Sequence, residues 1–207
     1  MLWATLVLPL GEAESWKIVD YGNIPAHRVS FTANTMKIQV QNSATPIVYP
    51  FEKPRFVTGL DVHALVSGAL PALPTGLRQG QKGADDVTLR VGLIVRGNRK
   101  LNWLQRKIAP RWLLDLEKLM PQNYGIHHVE FICTCLQKDL LSKKRTHFLD
   151  SSLKEECVTL LERLGPFTLS KKWTQPMQTL GIWIATDGDD SQSRFDLTIN
   201  KIEISHK

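Results

Sequence analysis

The chain has 207 residues, 43% of them hydrophobic and 22% charged, and carries a formal net charge of +6. This length supports one sizeable core, and this balance of residues excludes wholesale disorder. Part of the basic excess is local, in Arg96, Arg99 and Lys100 and again in Lys138, Lys143, Lys144 and Arg145; both clusters read as solvated loops rather than as sites for anionic lipid or nucleic acid.

Residues 1–10 form a short apolar run followed by Gly11-Glu-Ala-Glu-Ser15, with small residues at Ala13 and Ser15. That pattern resembles the end of a secretory signal peptide, and the run is too short for a membrane span of about 20 apolar residues. No positively charged stretch precedes it, which leaves an N-terminal strand as the alternative. The expectation is a signal-peptide remnant over 1–15, a single domain over 16–207 and a periplasmic or secreted location.

Residues 16–21 alternate weakly. Residues 28–31 and 36–40, joined by the polar turn 32–35, read as a hairpin-like unit with Met36, Ile38 and Val40 on one face. In residues 56–66, Phe56, Leu60, Val62 and Val66 lie on one side and Asp61 and His63 on the other. A connection over 68–83 follows, where Pro71, Pro74, Gly76, Gly80 and Gly83 prevent regular structure; loops this long tend to be functional or mobile.

The cleanest alternation is in 87–95. Val87, Leu89, Val91, Leu93 and Val95 share one face, and Thr88, Arg90 and Gly92 share the other. A half-buried antiparallel strand gives this pattern, with one face on the core and one toward water or a ligand. Asp85 and Asp86 stand at its start, as strand-start polarity or as binding groups.

Pro110 suits the first position of a helix over 111–120, and Pro121 closes it; Trp112, Leu113, Leu116, Leu119 and Met120 form its apolar side. A second helix is expected from Ser152, which has capping-box spacing to Glu155, to the stop signal Gly165-Pro166, with Leu153, Cys157, Leu160, Leu161 and Leu164 as its stripe. Between them, 129–135 reads as a strand with Val129, Phe131, Cys133 and Cys135 on one face. Three cysteines cannot close a disulfide framework, so all three read as small core residues. A metal site borrowing His127 or His128 for Cys133 and Cys135 lacks a second ligand pair.

Near the end, a strand over 181–185 runs into the acidic loop 186–191, and a further strand covers 195–205. Trp183 shares a face with Gly181, Ala185 and Asp187, opposite Ile182 and Ile184, and so either projects toward the solvent side as a sugar-stacking ring or, as tryptophans more often do, packs. Asp187, Asp189 and Asp190 are hard oxygen ligands of the kind calcium takes. Gln192 stands where an EF-hand needs glycine and Thr198 where it needs glutamate, so these aspartates form a sandwich-loop cation site or a solvated turn. Nucleophilic and phosphate-binding signatures are absent from the sequence: there is no Gly-x-Ser-x-Gly elbow, and no Lys-Ser or Lys-Thr follows Gly76 to Gly83. Many strands, long connections and two short helical insertions predict a mainly β fold, a jelly-roll β-sandwich.

Ala84-Asp-Asp-Val-Thr-Leu-Arg-Val-Gly-Leu-Ile-Val95 and Gly181-Ile-Trp-Ile-Ala-Thr-Asp-Gly-Asp-Asp-Ser191 resemble the two recognisable segments of a bacterial, largely exported family of unknown function with a galactose-binding-like jelly roll. Phe195-Asp-Leu-Thr-Ile199 is similar to the final strand of complex I intermediate-associated proteins. The resemblance implies kinship of shape with those proteins and with carbohydrate-binding modules, and it brings no activity with it.

These readings converge on a noncatalytic, exported binding or accessory protein for a polar ligand, a saccharide. The candidate ligand-binding residues are Asp61, His63, Asp85, Asp86, Arg90 and Trp183, with Asp187, Asp189 and Asp190 for a structural calcium. Neither nucleic acid nor a transmembrane segment is expected. One alternative is a carbohydrate-active hydrolase or lyase using Asp61, His63 and Asp85. The other is an interaction module docking through the helix face from Trp112 to Met120.

Overall fold

The computed structural model describes residues 4–98, 100–121, 123–147 and 151–207. In chain order, its elements are β1 (Ala4–Val7), β2 (Lys17–Ile18), β3 (Arg28–Phe31), β4 (Met36–Gln41), β5 (Ala44–Gly68), β6 (Val87–Gly97), α1 (Trp103–Ile108), α2 (Arg111–Leu119), β7 (Gly125–Cys135), β8 (Lys144–Thr146), β9 (Leu153–Leu160), β10 (Gly165–Asp187) and β11 (Arg194–His206). The strands pair in the order β3-β4-β11-β5-β10-β6-β7-β9-β8, with β1 added to β11 and β2 to β5. The β7–β9 pair is parallel, and the others are antiparallel.

The sandwich is built on two long strands, β5 with 25 residues and β10 with 23. Residues 55–66 of β5 pair with 165–179 of β10 and carry β11, β4 and β3 beside them; residues 44–50 pair with 181–187 and carry β6, β7, β9 and β8. Bulges in β10 between Lys172 and Met177 and between Thr179 and Gly181 bend it from one layer into the next. One core fills the space between the layers. Met36, Ile38, Val62, Leu197 and Ile199 come from the first layer, and Ile47, Leu89, Val91, Leu93 and Ile184 from the second.

Register decides which side chains leave this core. Val91, Ile184 and Ile47 form one row across β6, β10 and β5, and the next row is Gly92, Trp183 and Val48. Because successive residues face opposite sides, the first row enters the inter-layer core and the second faces outward. There Val48, Trp183, Val129 and Phe131 form a second apolar cluster, capped by Leu116 and Met120 from the α2 segment. The α2 helix forms where Pro110 predicts it. Its apolar side is packed on its own sheet, which removes the basis for docking a partner through Trp112 to Met120.

The helix expected from Ser152 to Gly165 is a strand. The β9 strand runs parallel to β7, with Leu153 opposite Val129 and Cys157 opposite Cys133. Glu155, the supposed capping residue, is buried with its carboxylate bound by Arg90 and Arg145. Extended backbone puts Leu153, Glu155 and Cys157 on one face toward these partners, and tertiary pairing overrides a weak local helix signal. Gly165 and Pro166 open β10 instead of ending a helix. The second of the two helices is α1, opened by a reciprocal capping box between Asn102 and Gln105.

Three further expectations meet the structure here. Residues 4–7, within the stretch expected as a signal-peptide remnant, pair with β11, and Leu8 and Leu10 are buried in the core. The Pro- and Gly-rich connection is pinned by Gln79, whose Nε2 donates to the Thr134 carbonyl at 3.2 Å and whose Oε1 accepts from the Leu136 N–H at 2.9 Å. The cysteines are buried free thiols, Cys133 and Cys157 having their sulfurs 3.3 Å apart across the parallel pair.

Candidate functional site: a cavity between the α2 helix and the outer sheet face

The outward row of the second layer floors a cavity of about 520 Å³. Gly92 stands between Trp183 and Phe131 in the cross-strand register. A Cβ there would lie 2.6 Å from Phe131 Cδ1 and 2.7 Å from Val129 Cγ1, so the missing side chain lets the two rings meet edge to face, their centroids 5.4 Å apart at 74°. Trp112 of α2 covers Trp183 at 5.4 Å. Trp183 does lie on the face expected for it, but this cover leaves it only 2% exposed. Trp112, Phe131, Trp183 and Leu153 form the apolar wall.

The opposite wall is ionic. Arg90 is buried, donating from Nη1 to Glu155 at 3.0 Å and from Nη2 to the Asp85 carbonyl at 3.0 Å and carboxylate at 3.3 Å. Arg145 of β8 donates to Asp85 and Glu155, each at 2.9 Å, and His147 Nε2 lies 2.7 Å from Asp85 Oδ2. Burial raises the Asp85 carboxyl, but Arg90, His147 and Arg145 outweigh it and hold the group well below the usual carboxylate range. Burial also opposes the charge on Arg90, and Glu155, Asp85 and Asp187 more than offset it.

Asp187 behaves oppositely. Burial and a hydrogen bond shared with Asp189 push its carboxyl well above the ordinary value, against the pull of Arg90. The Tyr21 phenol, beside it on the cavity wall, is raised by burial and by the Asp187 charge. Asp190 is raised by burial and by neighbouring carboxylates although its Oδ2 accepts the Asp85 N–H at 2.8 Å.

Asp85, Arg90, Trp183, Asp187, Asp189 and Asp190 therefore line one cavity. Asp86 lies behind it and staples the acidic turn: its carboxylate accepts from the Asp190 N–H at 3.0 Å, the Ser191 N–H at 2.9 Å and the Ser191 hydroxyl. Among the described residues, the carboxylates that converge are Asp86, Asp187 and Asp189, with ligand atoms within 4.8 Å of one another; Asp86 takes the place the sequence assigned to Asp190. Asp187 Oδ1 is buried without a hydrogen-bond partner, and Asp86, Asp187 and Asp189 would supply three of the roughly six to eight oxygens that a calcium-type ion takes.

Asp61 and His63 lie apart, in the half of β5 that belongs to the other layer. They bond to Ser170 at 2.5 Å and Thr168 at 3.3 Å and do not line the cavity. The trio of Asp61, His63 and Asp85 thus shares no cleft. Sequence reasoning missed Tyr21, Trp112, Phe131 and His147 as cavity residues and took Arg145 for a solvated cation. One signal for Arg145 was available: the charge pattern Lys144-Arg145 matches Glu155-Glu156, and in the antiparallel β8–β9 pair Arg145 faces Glu155 and Lys144 faces Glu156.

No protein-family model matches the chain, and no curated protein matches it in sequence. Among solved structures, the chain is similar to a low-affinity xylan-binding module, CBM86, from Roseburia intestinalis, at 6% identity over 100% of this chain and 97% of that one, with a TM-score of 0.38. It is also similar to the exoplasmic/lumenal domain of VIP36 bound to Ca2+ and Man3GlcNAc, at 10% identity over 97% of this chain and 87% of that one, with a TM-score of 0.44. At these scores the likeness is one of general outline.

Proposed function

We propose that the cavity binds a saccharide without turning it over. The observation that carries this reading is the pairing of an aromatic wall, with Trp112 at its edge, and a wall of fixed carboxylates and a guanidinium in a space of about 520 Å³. A sugar ring presents apolar C–H faces and a rim of hydroxyls, so the first wall offers stacking and the second offers acceptors and a donor. A calcium-type ion at Asp187 and Asp189, with Asp86 behind, belongs to the same reading and gives Asp187 Oδ1 the partner it lacks among protein groups.

A glycan array probed with and without calcium, followed by calorimetry on the best hit, tests it. Trp112→Ala is expected to weaken binding at least about tenfold, the scale of one lost stacking contact. Absence of any glycan bound in either condition, or a hit indifferent to Trp112→Ala, overturns it.

One observation favours hydrolysis as a second reading: Asp85 and Asp187 line the same cavity with their carboxyls pushed in opposite directions, the arrangement that separates a base from an acid. Release of reducing sugar from the bound glycan, lost in Asp187→Asn, decides for it.

A further inference from the structure

The α1 helix buries none of its residues. Trp103 is 70% exposed, Leu104 56% and Ile108 81%. At about 100° per residue these three and Lys107 fall within an arc of about 140°, so they form one outward face, with the Lys107 ammonium 4.9 Å from the Trp103 ring centroid. The face is held in place from behind. Arg106, on the other side of the helix, pairs with the buried carboxylate of Glu117 in α2, which also accepts the Leu101 N–H at 2.9 Å. A fixed helix that turns its apolar side to water is unpartnered within the chain.

Charge says what covers it. Residues 96–111 hold six basic residues, Arg96, Arg99, Lys100, Arg106, Lys107 and Arg111, and no acidic one; Arg106 and Arg111 pair with Glu117 and Asp115 of α2, so the local excess rests on the other four. A second copy of this chain brings the same local excess and a net +6 of its own, so self-docking meets like-charge repulsion. A nucleic acid offers phosphates but no apolar phase for Leu104 and Ile108. An anionic bilayer offers both at once: a negative headgroup layer for the cations, an interfacial zone where tryptophan settles, and an acyl boundary for the aliphatic side chains.

We propose that the α1 face docks the protein peripherally on anionic lipid, with Trp103, Leu104 and Ile108 entering the interface and Lys100 and Lys107 meeting the headgroups. No helix among the described residues is long and apolar enough to cross a membrane; in the proposed contact the six-residue α1 lies in the plane of the surface. The proposal stands independently of what the cavity binds.

The test is co-sedimentation of the full chain with vesicles of phosphatidylcholine alone and of phosphatidylcholine mixed with phosphatidylglycerol, at low and high salt. The protein is expected to sediment with the anionic vesicles only and to be released by salt. Lys100→Glu with Lys107→Glu, and separately Trp103→Ala with Ile108→Ser, are each expected to lower vesicle affinity about tenfold or more. All four side chains are exposed, and an unchanged Tm shows that the variants fold. Failure to bind either vesicle overturns the proposal, as does binding that Trp103→Ala with Ile108→Ser leaves intact. Retention on duplex DNA but not on lipid makes the surface a polyanion site instead, and concentration-dependent dimers abolished by Trp103→Ala make it a self-interface; both results refute lipid docking.

Discussion

Arg90 donates twice to Asp85, to its backbone carbonyl at 3.0 Å and to its carboxylate at 3.3 Å, so the start of β6 is tied to a side chain inside that strand. The same guanidinium bonds Glu155 across two strand boundaries. Removing the Asp85 charge leaves Arg90 short of a partner in a buried position. Asp85→Asn is therefore expected to destabilise the fold by about 3 kcal/mol, read from urea unfolding. A loss under about 1 kcal/mol would mean that Glu155 alone suffices for Arg90.

Acid stability follows from the two shifted aspartates with opposite signs. Asp85 is held below its ordinary 3.8, so the stability it contributes is complete above that value and is lost as pH falls through its depressed folded-state value. Asp187 is held above 3.8, so the native state keeps a proton that the unfolded chain has released; its contribution is present below 3.8 and is lost as pH rises through the raised value. Urea midpoints measured across pH are expected to show a flatter acid limb in Asp85→Asn. In Asp187→Asn the decline on the alkaline side of 3.8 is expected to flatten.

Gly92→Ala places a methyl group 2.6 Å from the Phe131 ring. The rings of Phe131 and Trp183 must then separate, at a cost of about 2 kcal/mol, and the near-ultraviolet circular dichroism from that contact is expected to fall. Trp183 also floors the cavity, so the substitution is expected to weaken ligand binding although it touches no ligand.

If an ion joins Asp187 to Asp189, calcium at about 100 times its dissociation constant raises stability by about 2.7 kcal/mol. Thermal melting with millimolar calcium measures this. Asp187→Asn is expected to abolish the rise, and affinity is expected to strengthen with pH because the Asp187 proton must leave first. A melting temperature indifferent to calcium removes the ion and leaves the shared proton as the arrangement at this pair.

Much of the architecture is legible in period-two patterns. The strand over 87–95, the hairpin 28–40 and the C-terminal pair 181–205 announce themselves because apolar residues recur at every second position, although 87–94 is not the half-buried strand expected: its second face is buried too, as is that of 182–186. The helix at 111–120 is equally plain from Pro110 and Pro121. The stretch 152–164 misleads because leucines at helical spacing coincide with Leu153, Glu155 and Cys157 at strand spacing, and only the presence of Arg90 and Arg145 opposite Glu155 chooses between them. Half of the site is local and therefore visible: Asp85, Arg90, Trp183 and the acidic turn each lie in or beside a recognisable strand. Asp61 and His63 look equally apt, yet the layer change within β5 sends them elsewhere. Tyr21, Trp112 and His147 reach the cavity only through the folding of distant connections, which local pattern does not encode.

The two strands that run through both layers also set when the fold can form. β5 is complete at Gly68, but its partner β10 begins at Gly165, so during synthesis the first strand waits for about a hundred residues before either layer can close. Contacts this distant in sequence form slowly and expose strand edges meanwhile. A nascent chain that stops short of β10 lacks the strand that joins both layers to β5.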